Sequence, residues 1–221
     1  MMISPEAFYD RELKGKSLSQ IISKIRGLKN EIERLKNLIE NPDYNSQLVG
    51  YPTLHTQLFC NRLYLEKAKE ALSESGGTYR PSKAEQRALG IDNSIPYLTK
   101  LVFSIGGYFD GYTTTTIIFC EECMKVKKEN LYEMKSDEEQ TVTYPENKES
   151  FMEMLRDIHF GEWKSRYDNI CVLDGTQWNL ELYFSNGHKK VSFGGSNAYP
   201  YNFDDFCSLI GESNDAEADN K

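Results

Sequence analysis

From Ser17 onward the apolar positions Leu18, Ile21, Ile25, Leu28, Ile32, Leu35 and Ile39 step by three and four in alternation. That spacing keeps one stripe of an α-helix turned toward a partner helix. Ser17 and Gln20 make a capping-box pair at its start and Asn41-Pro42 ends it, because the paired side chains satisfy free N–H groups and proline cannot continue the hydrogen-bond ladder. A second run, Leu54, Leu58, Asn61, Leu65, Ala68 and Leu72, opens at Pro52-Thr53 and closes at Gly76-Gly77. At ~1.5 Å per residue each helix is about 30–35 Å long, and the short connector predicts an antiparallel hairpin. Asn61 either fixes the register of the seam or faces water at its edge. Such a hairpin buries only narrow stripes, so Ile22, Phe59 and Leu63 need cover from the following domain or from a second copy. Self-association into a homo-oligomer, or docking of a protein partner, through residues 17–75 is therefore expected. Short helices flank the hairpin: Ser4-Pro5-Glu6 starts one that runs to about Leu13 before Gly15, and Ser82 with Glu85 caps another that ends at Leu89-Gly90.

From Tyr97 the period falls to two. Leu101, Phe103 and Ile105 alternate with Lys100, Val102 and Ser104 before Gly106-Gly107, which reads as a strand. Residues 112–119, rich in Thr and Ile, pair back as a second strand, with a weaker third over 124–132 and a charged loop over 135–140. Phe151, Met154, Leu155 and Ile158 sit at helical spacing within 149–159. Trp178, Leu180, Leu182 and Phe184 then alternate with polar residues up to an Asn186-Gly187 turn and a return strand over 189–193, a hairpin signature. Asn202 is placed to cap a last short helix over 203–210, with Asp204 and Asp205 in its first turn and Gly211 after it. The expected class is α+β: a helical hairpin in residues 1–94, an antiparallel-sheet domain in 95–211, and a disordered acidic tail over 212–221.

The chain has 221 residues, long enough to bury roughly 70% of its unfolded surface without disulfides or metal. Its formal charge of −8 excludes a phosphate-dominated nucleic-acid footprint and attraction to an anionic membrane surface. No stretch of 18 apolar residues occurs, and the first residues lack a signal-peptide pattern, so the chain is expected to begin here and to stay off the membrane. Five cysteines without framework spacing fit reduced thiols, hence a cytoplasmic location.

Candidate chemistry is sparse. Cys120-Glu121-Glu122-Cys123 has the spacing of half a zinc knuckle but no second pair to complete it, and as a redox pair it lacks a helix N-terminus beside its thiols. Otherwise it is a polar hairpin end. Cys171, His188 and Asp174 form a nucleophilic triple only if neighbouring strands gather them. Gly106 to Gly111 joins two strands and lacks the lysine of a phosphate loop. The loops on either side of the last hairpin carry Asp174, Gln177 and Trp178 before it and Ser196, Asn197 and Tyr199 after it. Either these six line a pocket for a small polar ligand or a peptide, or Asp174 and Asn197 satisfy turns while Trp178 and Tyr199 pack the core. No cofactor is implied.

Three segments, Gly106 to Tyr112 (GGYFDGY), Asp174 to Glu181 (DGTQWNLE) and Gly195 to Pro200 (GSNAYP), resemble a bacterial family known as a domain of unknown function. The resemblance implies a C-terminal α+β domain framed by these segments. Some members are similar from residue 1, with the coiled-coil start and the connector over 79–84. The likeness leaves out residues 120–140 and brings no activity, ligand or catalytic residue with it. A non-catalytic cytoplasmic binding protein is the leading expectation. The rivals are an immunity or antitoxin-like protein that neutralises a basic partner by charge, and a metal- or thiol-dependent enzyme built on Cys120 and Cys123.

Overall fold

The computed structural model describes residues 2–43, 51–107, 111–121, 123–130, 148–172 and 174–212, and the backbone alone of 142–143. The chain divides into two compact units between Pro81 and Ser82.

In the first unit, α1 (Pro5–Phe8) is capped by Ser4, whose hydroxyl accepts from the Ala7 N–H at 3.1 Å, and runs on into a single wider turn over Tyr9–Leu13. Then α2 (Leu18–Ile39) and α3 (Leu54–Glu74) form the expected antiparallel pair, with Leu18 at the start of α2 against Gly77 after α3. The local signals act as the sequence implies: the Ser17 N–H donates to Gln20 Oε1 at 2.9 Å, and the Thr56 N–H donates to Thr53 Oγ1 at 3.2 Å.

The seam differs in two places. Leu18 at its start is 41% exposed, and Tyr64 is buried where heptad spacing points to its neighbour Leu65. Tyr64 turns inward because Phe8 stacks on it at 4.4 Å and its hydroxyl bridges the chain at Ile3, donating to the carbonyl at 2.7 Å and accepting from the N–H at 2.9 Å. Asn61 does not reach across the seam. Its Nδ2 donates to Gln57 O of the same helix at 2.8 Å, so it sets no register by that bond.

In the second unit, α4 (Lys83–Asp92) precedes a seven-stranded sheet with a helix inserted in it and another after it. The strands are β1 (Leu98–Gly107), β2 (Gly111–Phe119), β3 (Met124–Asn130), β4 (Val142–Thr143), β5 (Arg166–Asp168), β6 (Gln177–Phe184) and β7 (Val191–Ser196). Their spatial order is β4-β3-β2-β1-β6-β7-β5. All neighbours are antiparallel except β5 and β7, so the α+β class holds.

Pairing of β1 with β6, Phe103 opposite Leu180, fuses the two expected hairpins into one sheet. Alternation then sends Leu101, Phe103, Ile117, Leu180, Leu182 and Phe193 to one face. There they are buried with Leu155 of α5 (Lys148–Asp157), Phe160, and Phe203 and Phe206 of α6 (Phe203–Leu209).

Several boundaries move. The domain division falls at residue 81 and not at 94, because α4 is tied to the turn over Phe160–Glu162: Asp92 Oδ1 accepts from the Gly161 N–H at 2.9 Å. The three-residue β5 was not expected, its signal being too short for any periodicity. Asn202 makes no side-chain cap on α6; it is spent inside the core. Of the expected tail, Glu212 is held by Lys128 at 3.1 Å and by the Thr115 hydroxyl, while residues 213–221, like the loop 135–140, lie outside the described residues.

Candidate functional site

The strand register brings the three glycine-rich segments to one end of the sheet. Gly106 faces Tyr112 on one side and Gln177 on the other, Gln177 faces Ser196, and Ser196 faces Asp168 of the parallel edge strand. Tyr112, Gly106, Gln177, Ser196 and Asp168 thus form one row across five strands. The Tyr112 hydroxyl donates to Gln177 Oε1 at 3.2 Å along it.

The loops beyond this row are locked to each other. The Asn197 N–H donates to Thr176 O, and the Thr176 N–H donates back to Asn197 Oδ1, both at 2.9 Å. This clamp sets its own residue requirements. Asn197 sits at φ +51°, a left-handed conformation that Asn tolerates better than most residues. Gly175 sits at φ +141°, where a Cβ would stand 2.1 Å from Asn197 Oδ1.

The six expected ligand-facing residues divide by environment. Asp174 and Gln177 are exposed, and Ser196 and Asn197 are half-buried. Trp178 is 3% exposed, its Nε1–H donates to Ala198 O at 3.0 Å, and its ring packs 4.8 Å from Phe203 and 6.0 Å from Trp163 and Tyr167. The indole faces the core because Gly195 opposite it leaves the space: a Cβ there would come within 2.4 Å of Trp178 Nε1. Tyr199 lies 4.8 Å from Phe203, and burial pushes its phenol up, with a hydrogen bond to Thr176 acting in the opposite direction. Of the aromatic walls imagined for a pocket, Trp178 is a core residue and Tyr199 is half in it. Among the described residues, what reaches solvent is main chain, the Gln177 amide, the Asp174 carboxylate and, half-buried, the Ser196 and Tyr112 hydroxyls. The row carries no thiol, imidazole or ammonium group, and its Asp168 carboxylate is held by Arg166 at 2.8 Å. Such a surface supplies hydrogen-bond donors and acceptors. Gly106 and Tyr112 pair within the local β1–β2 hairpin, and the long-range pairings of β1 with β6 and of β5 with β7, which no local motif announces, bring them and Asp168 to Gln177 and Ser196.

The nucleophilic triple is not assembled. Asp174 and Cys171 precede β6, whereas His188 lies in the turn after it, stacked edge-on to Phe184 and bonded through Nδ1 to Lys189 O at 2.9 Å. Eight residues of strand at ~3.3 Å each put about 25 Å between the ends. At Cys120 and Cys123 no third metal-ligating side chain joins the pair among the described residues.

Neither a family model, nor a curated protein, nor a solved structure matches the chain.

The first unit carries the other exposed feature. Phe59 and Leu63, one turn apart on α3, are 62% and 38% exposed, and Ile22 on α2 is 45% exposed. Among the described residues no helix is long and apolar enough to cross a membrane.

Proposed function

We propose that the protein is a non-catalytic binding protein that self-associates through its helical hairpin, residues 17–75. The observation that carries this reading is the apolar surface of Phe59 and Leu63 on α3, left exposed although the seam beside it is filled. Burying what remains exposed of these two side chains in a second copy gives a fraction of the ~1.5–3 kcal/mol that burial of each from full exposure would give. Charge favours a like partner. The hairpin holds eight Lys and Arg against seven Asp and Glu, near neutrality in a chain of net −8, so two hairpins meet without the repulsion the rest of the molecule would impose. The hydrogen-bonding row at the sheet end then stays free in each copy for a polar ligand or peptide.

The test is the native mass of the full chain at micromolar concentration. Wild type is expected at twice 25.5 kDa, and the Phe59→Lys/Leu63→Lys variant at 25.5 kDa with an unchanged far-ultraviolet spectrum. A wild-type monomer across that range removes the self-association reading.

A further inference from the structure

We propose that Cys120 and Cys123 are a dithiol site that closes reversibly to an intramolecular disulfide when it meets a small-molecule disulfide of the glutathione type. The inference is independent of self-association and goes beyond it.

The geometry comes from the β2–β3 register. Ile118 faces Lys125 and Phe119 faces Met124, so the next opposing positions are Cys120 and Cys123. The Cys120 N–H donates to Cys123 O at 2.9 Å, one bond past the last ladder pair, so the two residues stand opposite each other. In such a pair the Cα atoms stand about 5.5 Å apart with both side chains on one face, inside the roughly 4.4–6.8 Å window of a disulfide.

Which face is settled by alternation. Phe119 and Met124 are buried, so the two thiols project from the opposite side, and both are partly exposed. The Cys123 thiol is held above its ordinary range chiefly by its hydrogen bond with Cys120, as two sulfurs in contact require.

No helix start lies near these thiols in the chain. The fold supplies a cation instead. Lys148, the first residue of α5, donates from Nζ to the carbonyls of Cys120 and of Glu121, the latter at 2.9 Å, pinning the turn and placing an ammonium group beside it. That charge acts to lower the Cys123 thiol, but its hydrogen bond with Cys120 outweighs it.

One thiolate attacks the oxidised probe RSSR, forming a mixed disulfide and releasing RS⁻. The second sulfur, as thiolate, attacks the protein sulfur of that bond and expels the other RS⁻. The two protons lost by the cysteines end on the two RSH products, so the protein is oxidised by two electrons and the probe reduced by two. The remaining cysteines lie elsewhere in the fold, Cys60 within α3. Cys207 is buried with its thiol pushed up to about 12, and Cys171 is exposed on a separate segment.

The experiment treats the full chain with oxidised glutathione, blocks free thiols and maps tryptic peptides. Residues 101–125 form one peptide holding these two cysteines and no other. It is expected to come out about 2 Da lighter with no glutathione attached, and to be restored by dithiothreitol. Cys120→Ser should instead carry glutathione stably on Cys123, rising from trace to near one equivalent, with the native spectrum kept. A wild-type peptide that stays reduced while Cys171 is modified, or that keeps a stable glutathione adduct, overturns the proposal.

Discussion

Trp163 and Asn202, 39 residues apart, meet inside the second unit, where the indole Nε1–H donates to Asn202 Oδ1 at 2.9 Å. The amide Nδ2 of the same Asn202 donates to Ile158 O at 2.6 Å. One buried side chain therefore ties the turn after α5 to the start of α6, beneath the ring contacts of Trp163 with Phe160, Phe193 and Phe206. Satisfying a buried donor and a buried acceptor at once explains why this Asn, although it stands at the N-cap of α6, makes no side-chain cap bond there.

Asn202→Ala strands both partners without water. Each unsatisfied group costs about 1–3 kcal/mol, so urea unfolding of the second unit should lose at least about 2 kcal/mol, with the midpoint shifted down and the slope retained. A loss under about 0.5 kcal/mol would show that the pair is not a fastening of the core.

At the sheet end, Asn197 does two things at once: it takes a left-handed backbone and accepts the Thr176 N–H. Asn197→Ala loses both, for an expected destabilisation of about 1–3 kcal/mol, while Asn197→Gly restores the backbone alone and should recover up to about 1 kcal/mol. Thermal unfolding of the two variants side by side separates the contributions. Equal midpoints would mean that backbone strain contributes nothing.

The open face of the sheet carries a pH-dependent network. Lys190 Nζ donates to Glu181 Oε1 at 2.7 Å and the Tyr183 hydroxyl donates to Oε2 at 2.5 Å, while Lys100 Nζ lies 4.2 Å from the centre of the Tyr183 ring. Lys190 first, then Tyr183, holds the Glu181 carboxyl below its usual range. A carboxyl depressed in the folded state stabilises the fold above its unfolded value, about 4.3, and that stabilisation is lost as pH falls through the folded value. The stability difference between wild type and Glu181→Gln should therefore be present at pH 7, about 0.5–1 kcal/mol for so accessible a pair, and shrink as pH falls below the ordinary carboxylate range. A difference that is flat with pH would contradict the assignment. The Tyr183 phenol, raised by the same carboxylate, should titrate at lower pH in the variant by ultraviolet absorbance.

What the sequence by itself determined is the set of features whose cause lies within a few residues. Ser17 with Gln20, Ser82 with Glu85 and Thr53 with Thr56 fix helix starts through bonds three residues long, and those starts are where composition and spacing put them. Alternation likewise specified that Leu101 and Phe103, and Leu180 and Leu182, would share one buried face, because the pleat imposes a period of two on any strand.

Tertiary structure decided the rest, each time because the partner lies far away along the chain. Whether Trp178 lined a pocket or filled the core depended on Gly195 and Ala198 across the hairpin. The use of Asn202 depended on Trp163, and the place of α4 depended on Gly161. The meeting of Gly106, Gln177 and Ser196 followed from the antiparallel pairing of β1 with β6 and of β6 with β7, the first of which closes a loop of some 70 residues that no local preference encodes. Lys148 reached Cys120 and Glu121 in the same way. Local hydrogen bonds and side-chain periodicity are properties of short segments and are legible in one dimension. The choice among distant partners is made by the summed burial and polar satisfaction of a packed core, and it exists only once the chain has folded.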